Sequence, residues 1–457
     1  MKKEYHKSKN IGTDNFFAKS DFSMYNLNTM KTTVKELPYD KVKTLPLRKL
    51  EKPVKPAMFW RWLIKTLAKS DLKATHFKCN YIGMEKLSKK EPCLVLMNHS
   101  CFMDLEIAET VLYPRPLNIV CTSDGFVGKN WLMRSIGCIP TNKFIADFVM
   151  VKNMKYALDT LKSSVLMYPE ASYSFDGTAT PLPETLGRCL KLLNVPVVMI
   201  RTYGAFARNP LYNNLQVRKV DVSADVKYLL SPEDIQQKSV NELNAILKQE
   251  FTFDNWKWQQ ENKVVINEPF RADCLNRVLY KCCVCGDEGN MKGYETELKC
   301  MHCGAKWTLG ETGFLEMKSN GHATEKGSPT PFTHVPDWYN WQREQVRKEI
   351  DEGIYRIEAD VDIYMMVDTK AIYKVGSGHL THSNDGFVLD GCEGKLHYEQ
   401  KPKASYSLYS DYYWYEIGDM ICIGDMKTLY YCFPKGAGDI VAKARIGTEE
   451  LFKKQNK

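Results

Sequence analysis

No stretch of this 457-residue chain approaches the roughly 18 consecutive apolar residues of a membrane span, so contact with a bilayer is expected to be peripheral. The opening residues, Met1–Lys2–Lys3–Glu4–Tyr5–His6, lead into no apolar run, which argues against a secretory leader. Nor does charge of one sign dominate. The formal net charge of +8 is compatible with an anionic membrane surface, a phosphorylated substrate or nucleic acid, and diagnostic of none. What is present is ordinary for a folded protein: 44% hydrophobic and 26% charged residues, in a length that suits roughly two to four domains.

Fifteen cysteines are an odd number, and most lie singly in apolar or mixed segments. With no leader, this points to a reducing compartment rather than a disulfide framework. Four are different. Cys282–Cys283–Val284–Cys285–Gly286 and Cys300–Met301–His302–Cys303–Gly304 are two Cys-x-x-Cys-Gly knuckles. Each turn aims two thiolates at one point, and four sulfurs suit a tetrahedral Zn²⁺ in a closed, structural shell. Cys282, Cys285, Cys300 and Cys303 are the expected ligands, with Cys283 and His302 as spares, and the segment resembles a zinc ribbon. A redox dithiol is the weaker reading, because the pairs come as a matched set. Ribbons often bind nucleic acid, but Lys281, Lys292 and Lys299 face Asp287, Glu288, Glu295 and Glu297 here, which is no basic stripe.

Residues 1–50 are polar and Lys-rich and read as a flexible basic tail. Residues 51–90 hold the helix-forming segment Pro56–Lys69, where Phe59, Leu63 and Leu67 recur at helical spacing, widened by Trp60 and Ile64, opposite Arg61, Lys65 and Lys69. Such a helix suits an anionic membrane interface and equally suits packing on a neighbouring domain. Between 91 and 275, short apolar runs alternate with helical patterns, which predicts an α/β domain with a mostly parallel sheet and flanking helices. The ribbon occupies 276–315 and a polar linker 316–335. Residues 336–457 start with a helix, continue as short β-type runs and end in a helix. That order loosely suggests a pleckstrin-homology-like barrel, by fold analogy alone. His379 and His382 near Asp385 raise the thought of a metal, but the stretch reads better as a turn.

The chemistry is concentrated in Leu94–Val95–Leu96–Met97–Asn98–His99–Ser100–Cys101–Phe102–Met103–Asp104. The apolar run predicts a buried strand and Leu105–Leu112 a helix. On one helix, five residues of separation would put His99 and Asp104 about 140° apart. A strand, a turn and a helix bring them together instead. Asp104 can then accept from the imidazole Nδ1–H and leave Nε2 as a base.

Four ordered blocks carry a family resemblance. Asn98, His99 and Asp104 match a His-x4-Asp motif. Gly137–Cys138–Ile139–Pro140–Thr141–Asn142–Lys143 matches a Gly-containing strand ending in a basic residue. Tyr168–Pro169–Glu170–Ala171–Ser172–Tyr173 matches a Pro-Glu-Gly-type turn, and Val195–Pro196–Val197–Val198–Met199–Ile200 a Val-Pro strand. Over about residues 57–225 the chain resembles the lysophospholipid acyltransferase (1-acylglycerol-3-phosphate O-acyltransferase) family. The resemblance implies a glycerolipid acyltransferase-like α/β fold, acyl transfer from acyl-CoA or acyl-acyl-carrier protein to a lysophospholipid, and peripheral attachment to the cytoplasmic face of the cell membrane. It implies His99 as general base oriented by Asp104, with Lys143, Glu170, Ala171 and Ser172 at the substrate. Four departures stand out. Lys143 takes the place of Arg, Ala171 that of Gly, Ser172 that of Thr, and Tyr173 that of an Arg that helps bind the acceptor's phosphate in the family. A non-catalytic lipid-binding module on the same fold is the alternative that Tyr173 keeps open.

Overall fold

A computed structural model describes residues 32–49, 51–145, 147–322, 331–436 and 439–456. Its strands are β1 (Val34–Glu36), β2 (Lys78–Ile82), β3 (Leu94–Met97), β4 (Leu117–Thr122), β5 (Cys138–Thr141), β6 (Ser164–Met167), β7 (Val197–Tyr203) and β8 (Ser223–Leu230). They continue as β9 (Met291–Tyr294), β10 (Glu297–Cys300), β11 (Lys306–Leu309), β12 (Leu315–Ser319), β13 (Arg356–Met366), β14 (Ile372–Ser383), β15 (Gly386–Gly391), β16 (Leu396–Gln400), β17 (Tyr409–Trp414), β18 (Gly418–Gly424) and β19 (Leu429–Pro434).

The expected α/β unit is a seven-stranded sheet in the order β2-β8-β7-β3-β6-β4-β5. All its pairings are parallel except β7 with β8. Its centre is dry because β3 is apolar on both faces. Val95 and Met97 pack on the side of the helices Met58–Ala74 and Met103–Val111. Leu94 and Leu96 pack on the side of Phe148–Asp159, Leu186–Leu193 and Val240–Phe251. Successive side chains of a strand point to opposite faces, so a continuous apolar run marks a strand covered twice. β9–β12 form a four-stranded antiparallel ribbon. β13–β19 form an antiparallel sheet closed by the helix Ile440–Gln455.

Several expectations need correction. Residues 32–49 are not tail: β1 pairs in parallel with β14, and Tyr39 and Val42 are buried in the C-terminal core. The outward-facing side chains of β1 hid this, since its gain comes from main-chain pairing. Residues 1–31 lie outside the described residues. The segment 51–90 is not only helical, because β2 is already an edge of the seven-stranded sheet. The linker at 316–335 starts as β12 of the ribbon, and 323–330 lie outside the described residues. His379 and His382 sit on β14, with the turn after them at Asn384–Asp385.

The helix Met58–Ala74 also sits differently on its neighbours than its pattern implied. Arg61 is inside rather than on the polar face, and its Nε meets Glu109 Oε2 at 2.6 Å with both side chains 1% exposed. Ile64, Ala68 and Leu72 complete the buried face. Phe59 and Trp62 are left exposed, as is Trp131 of the helix Asn130–Ile136, whose ring lies 6.2 Å from Trp60, itself 5.2 Å from Phe59. Among the described residues no helix is long and apolar enough to cross a membrane.

Candidate active site and metal centre

β3, β6 and β7 lie side by side, and the chain leaving their carboxyl ends builds the site, as is usual for parallel sheets. After β3 the Asn98 side chain accepts from Thr202 N of β7 at 2.8 Å, tying the turn to the neighbouring strand. Asp104, in the first turn of the helix Met103–Val111, is fully buried. Its Oδ2 accepts from Ser100 N at 2.6 Å, Cys101 N at 3.0 Å and His99 Nδ1 at 3.1 Å, while Oδ1 accepts from Thr202 Oγ1 at 3.3 Å. The strand–turn–helix geometry expected from the sequence is therefore present.

His99 keeps 21% of its side chain exposed, enough for a substrate to reach it. Desolvation holds its pKa below the usual histidine value, against the Asp104 hydrogen bond and charge, with Lys143 lowering it further. The imidazole is thus neutral near pH 7, the form a base needs. Its ring stacks on Tyr168 at 3.9 Å and meets Tyr173 at 4.4 Å.

Glu170 is held beneath this turn. Its Oε2 accepts from His99 N at 3.0 Å and its Oε1 from Thr180 N at 2.8 Å. Burial pushes its carboxyl up to about 8. Ala171 adopts φ +56°, the left-handed conformation that Gly adopts without strain. Around this turn Ala171 N is bound to Tyr168 O and Ser174 N to His99 O, so these two amides are committed within the loop.

Lys143 follows β5, with Nζ 4.2 Å from the Tyr409 ring centroid. It also stabilises the ionised form of Asp411, whose carboxyl burial raises to about 6. Arg201 of β7, a further cation of this sheet, is paired with Glu250. Ser172 Oγ accepts from Arg445 Nη2 at 3.2 Å. The structure thus gathers His99, Asp104, Glu170, Ala171 and Ser172 around one turn, with Lys143 close enough to act on the His99 charge. Sequence reasoning missed Asn98 and Thr202 as braces, Tyr168 as a stacking partner, and Tyr409, Asp411 and Arg445 from the C-terminal region. Tyr168 could have been found from its place beside Glu170. The last three carry no local signal.

The four knuckle cysteines converge as expected. Their sulfurs all lie within 4.8 Å of one another, and Cys282–Cys303 and Cys285–Cys300 are each separated by 3.8 Å. A tetrahedron with metal–sulfur bonds of about 2.3 Å has edges of about 3.8 Å, so this donor set could hold a metal ion such as zinc. The ribbon is anchored to the helix Val335–Asp351 by Trp338 Nε1 donating to Lys281 O at 2.9 Å, and by Lys281 N donating to Gln342 Oε1 at 2.9 Å.

No curated protein matches the chain. Among solved structures it is similar to the 1-acyl-sn-glycerophosphate (LPA) acyltransferase PlsC from Thermotoga maritima, at 16% identity and a TM-score of 0.33, over 42% of this chain and 78% of that one. Residues 78–202, which contain the His99–Asp104 turn, Lys143 and the Glu170 turn, match the family model Acyltransferase. Over that segment the chain carries an acyltransferase domain.

Proposed function

We propose that this protein moves a fatty acyl group from acyl-CoA or acyl-acyl-carrier protein to the hydroxyl of a lysophospholipid of the 1-acylglycerol-3-phosphate class. The carrying observation is His99 with Nδ1 on the buried Asp104 carboxylate, inside an acyltransferase domain. Neutral His99 takes the acceptor's hydroxyl proton at Nε2 as the oxygen attacks the thioester carbonyl. Asp104 steadies the imidazolium that forms. Collapse of the tetrahedral intermediate expels the thiolate, which regains the proton from the imidazolium. No acyl-enzyme is needed, and Cys101 is buried with its thiol pushed well above the ordinary range, which makes it a poor nucleophile. Lys143 is assigned to the acceptor's anionic group, and Glu170, Ala171 and Ser172 to the walls that position the acceptor.

The metal of the four-cysteine cluster is taken to be structural zinc, since four protein ligands leave no open position for chemistry. The protein is taken to sit at the cytoplasmic face of the cell membrane. Phe59, Trp62 and Trp131, exposed by 57%, 52% and 73%, are the rings that would enter the interface.

Purified protein should transfer labelled acyl groups from one of the two donors to 1-acylglycerol-3-phosphate, and His99→Ala should abolish transfer. Failure of the wild type with every lysolipid, phosphorylated or not, would leave the lipid-binding module as the better reading. Anionic vesicles should float with the protein, and joint replacement of Phe59, Trp62 and Trp131 by Ser should weaken partition at least about tenfold.

A further inference from the structure

The C-terminal helix Ile440–Gln455 sends one side chain into the acyltransferase centre. Arg445 is 2% exposed. Its Nη2 donates to Ser172 Oγ, 273 residues away in the chain, and to Thr180 Oγ1, each at 3.2 Å. These two hydroxyls lie on one loop beyond Glu170. Thr180 N is also the donor that holds Glu170 Oε1, and Glu170 Oε2 holds His99 N. One guanidinium thus ties the loop whose amide fixes the carboxylate beneath the catalytic turn.

The surroundings explain how a buried cation is tolerated. Glu449 lies one helical turn on, with Oε1 3.4 Å from Arg445 Nε. Phe175 and Phe144 stack against the guanidinium, with centroids at 4.8 and 5.9 Å. Packing alone does not call for this arrangement, since an apolar side chain of similar volume fills such a space at no desolvation cost. What the guanidinium adds is two directed hydrogen bonds and a positive charge beside Glu170.

The helix is itself braced from the ribbon. Lys443 Nζ meets Glu288 Oε2 and Glu349 Oε2, each at 2.8 Å, and Glu450 receives Arg343 and Arg347 of the helix Val335–Asp351. The ribbon and the C-terminal region therefore fix where Arg445 stands.

We propose that Arg445 is a positioning residue of the acyltransferase centre, delivered by the C-terminal region, which sets the Ser172–Thr180 loop and through it Glu170 and the His99 backbone. The proposal rests on the acyl-transfer reading of His99. Glu170 is faced by Asp104 of the helix Met103–Val111, which raises its pKa, and by Arg445, which lowers it. The neighbouring Tyr168 phenol stays neutral, since burial raises it well above its ordinary range.

The test is a double-mutant cycle on the full-length protein, with acyl-CoA and 1-acylglycerol-3-phosphate as substrates, or whichever pair the wild type uses. Arg445→Gln should lower kcat by about tenfold to a hundredfold, with the donor KM within about twofold. Arg445→Lys, which keeps the charge, should recover part of the loss. In a Glu170→Gln background, Arg445→Gln should cost less than about a further twofold, because the two act in series. Glu170 accepts both amides best when ionised, so kcat/KM should carry a rising limb at its pKa, and that limb should move up in Arg445→Gln and stay in place in Arg445→Lys.

Independent, multiplying losses, or an Arg445→Gln enzyme with wild-type kcat, would overturn the proposal. Should Arg445→Gln fail to fold, the same cycle run with Arg445→Lys decides by the same criterion. A wild type with no transfer activity fails the acyl-transfer reading itself and is told apart from these outcomes before any variant is made.

Discussion

Asp104→Asn removes a charge and keeps a shape, so it separates catalysis from folding. In the native turn Asp104 Oδ2 receives three donors, two of them backbone amides. An Asn carbonyl oxygen can receive the Ser100 and Cys101 amides in the same place, and the Thr202 hydroxyl can rotate to accept from the new amide. The turn should survive with a loss of under about 2 kcal/mol. The His99 Nδ1 contact at 3.1 Å fares differently, because its value rises as the imidazole gains charge in the transition state. A hydrogen bond to a charged group contributes about 1.5–3 kcal/mol, or about tenfold to 150-fold in rate. The same change in a Ser-His-Asp triad costs about 10⁴, which sets the upper end. Loss of the carboxylate also lets desolvation lower the His99 pKa further and relieves Glu170 of a neighbouring negative charge. Neutral His99 and ionised Glu170 are the active forms, so the rising limbs of the kcat/KM profile that these two groups set should both move to lower pH. Initial rates across pH, beside thermal melts, check each part. Asp104→Ala is the control for folding. It strands two buried amides at about 1–3 kcal/mol each and should melt well below the wild type. An Asp104→Asn enzyme within about threefold of wild-type kcat would refute the role given to this carboxylate.

Ala171→Gly relieves about 1–2 kcal/mol of left-handed strain against about 0.4–1 kcal/mol of added unfolded-state freedom, so melting and rate should change little, whereas Ala171→Val should melt several degrees lower. Arg61→Met strands Glu109 and should cost about 3–5 kcal/mol in denaturant unfolding, most of it recovered when Glu109→Leu is added. Elemental analysis should find one zinc per chain. Stripping it with a chelator should red-shift the emission of Trp307 and Trp338, which are buried beside each other at 4.7 Å. Burial depresses His382 from 6.5 to about 3, so only the unfolded chain takes up its proton between those values. Stability should therefore fall with acid across that window by up to about 1.4 kcal/mol per pH unit, and His382→Phe should flatten the slope in pH-dependent unfolding.

Much of the centre was legible because its chemistry is local. A dry strand, a tight turn and a helix start are encoded within a dozen residues. That is why His99 and Asp104 could be paired before any tertiary contact was known. The knuckles were legible for the same reason, since each Cys-x-x-Cys-Gly turn aims its own thiolates. Amphipathic reading failed on the helix Met58–Ala74, where Arg61 looked like surface charge and turned out to pair with Glu109 from a separate helix. β1 escaped notice because its outward side chains carry no pattern.

By itself, then, the sequence determined where the sheet's buried strands lie, the His99–Asp104 turn, the Glu170 turn and the cluster of four cysteines. The strands, the His99–Asp104 turn and the cysteine cluster follow from periodicity and turn chemistry over short spans, whereas the Glu170 turn was placed by its resemblance to the family's Pro-Glu-Gly block. Only the tertiary structure decided that Arg445 ties the Ser172–Thr180 loop, that Tyr409 and Asp411 surround Lys143, and that Glu170 holds the His99 backbone. Those contacts join residues far apart in the chain. They form when buried faces dock, and no short window of sequence records which surfaces will meet.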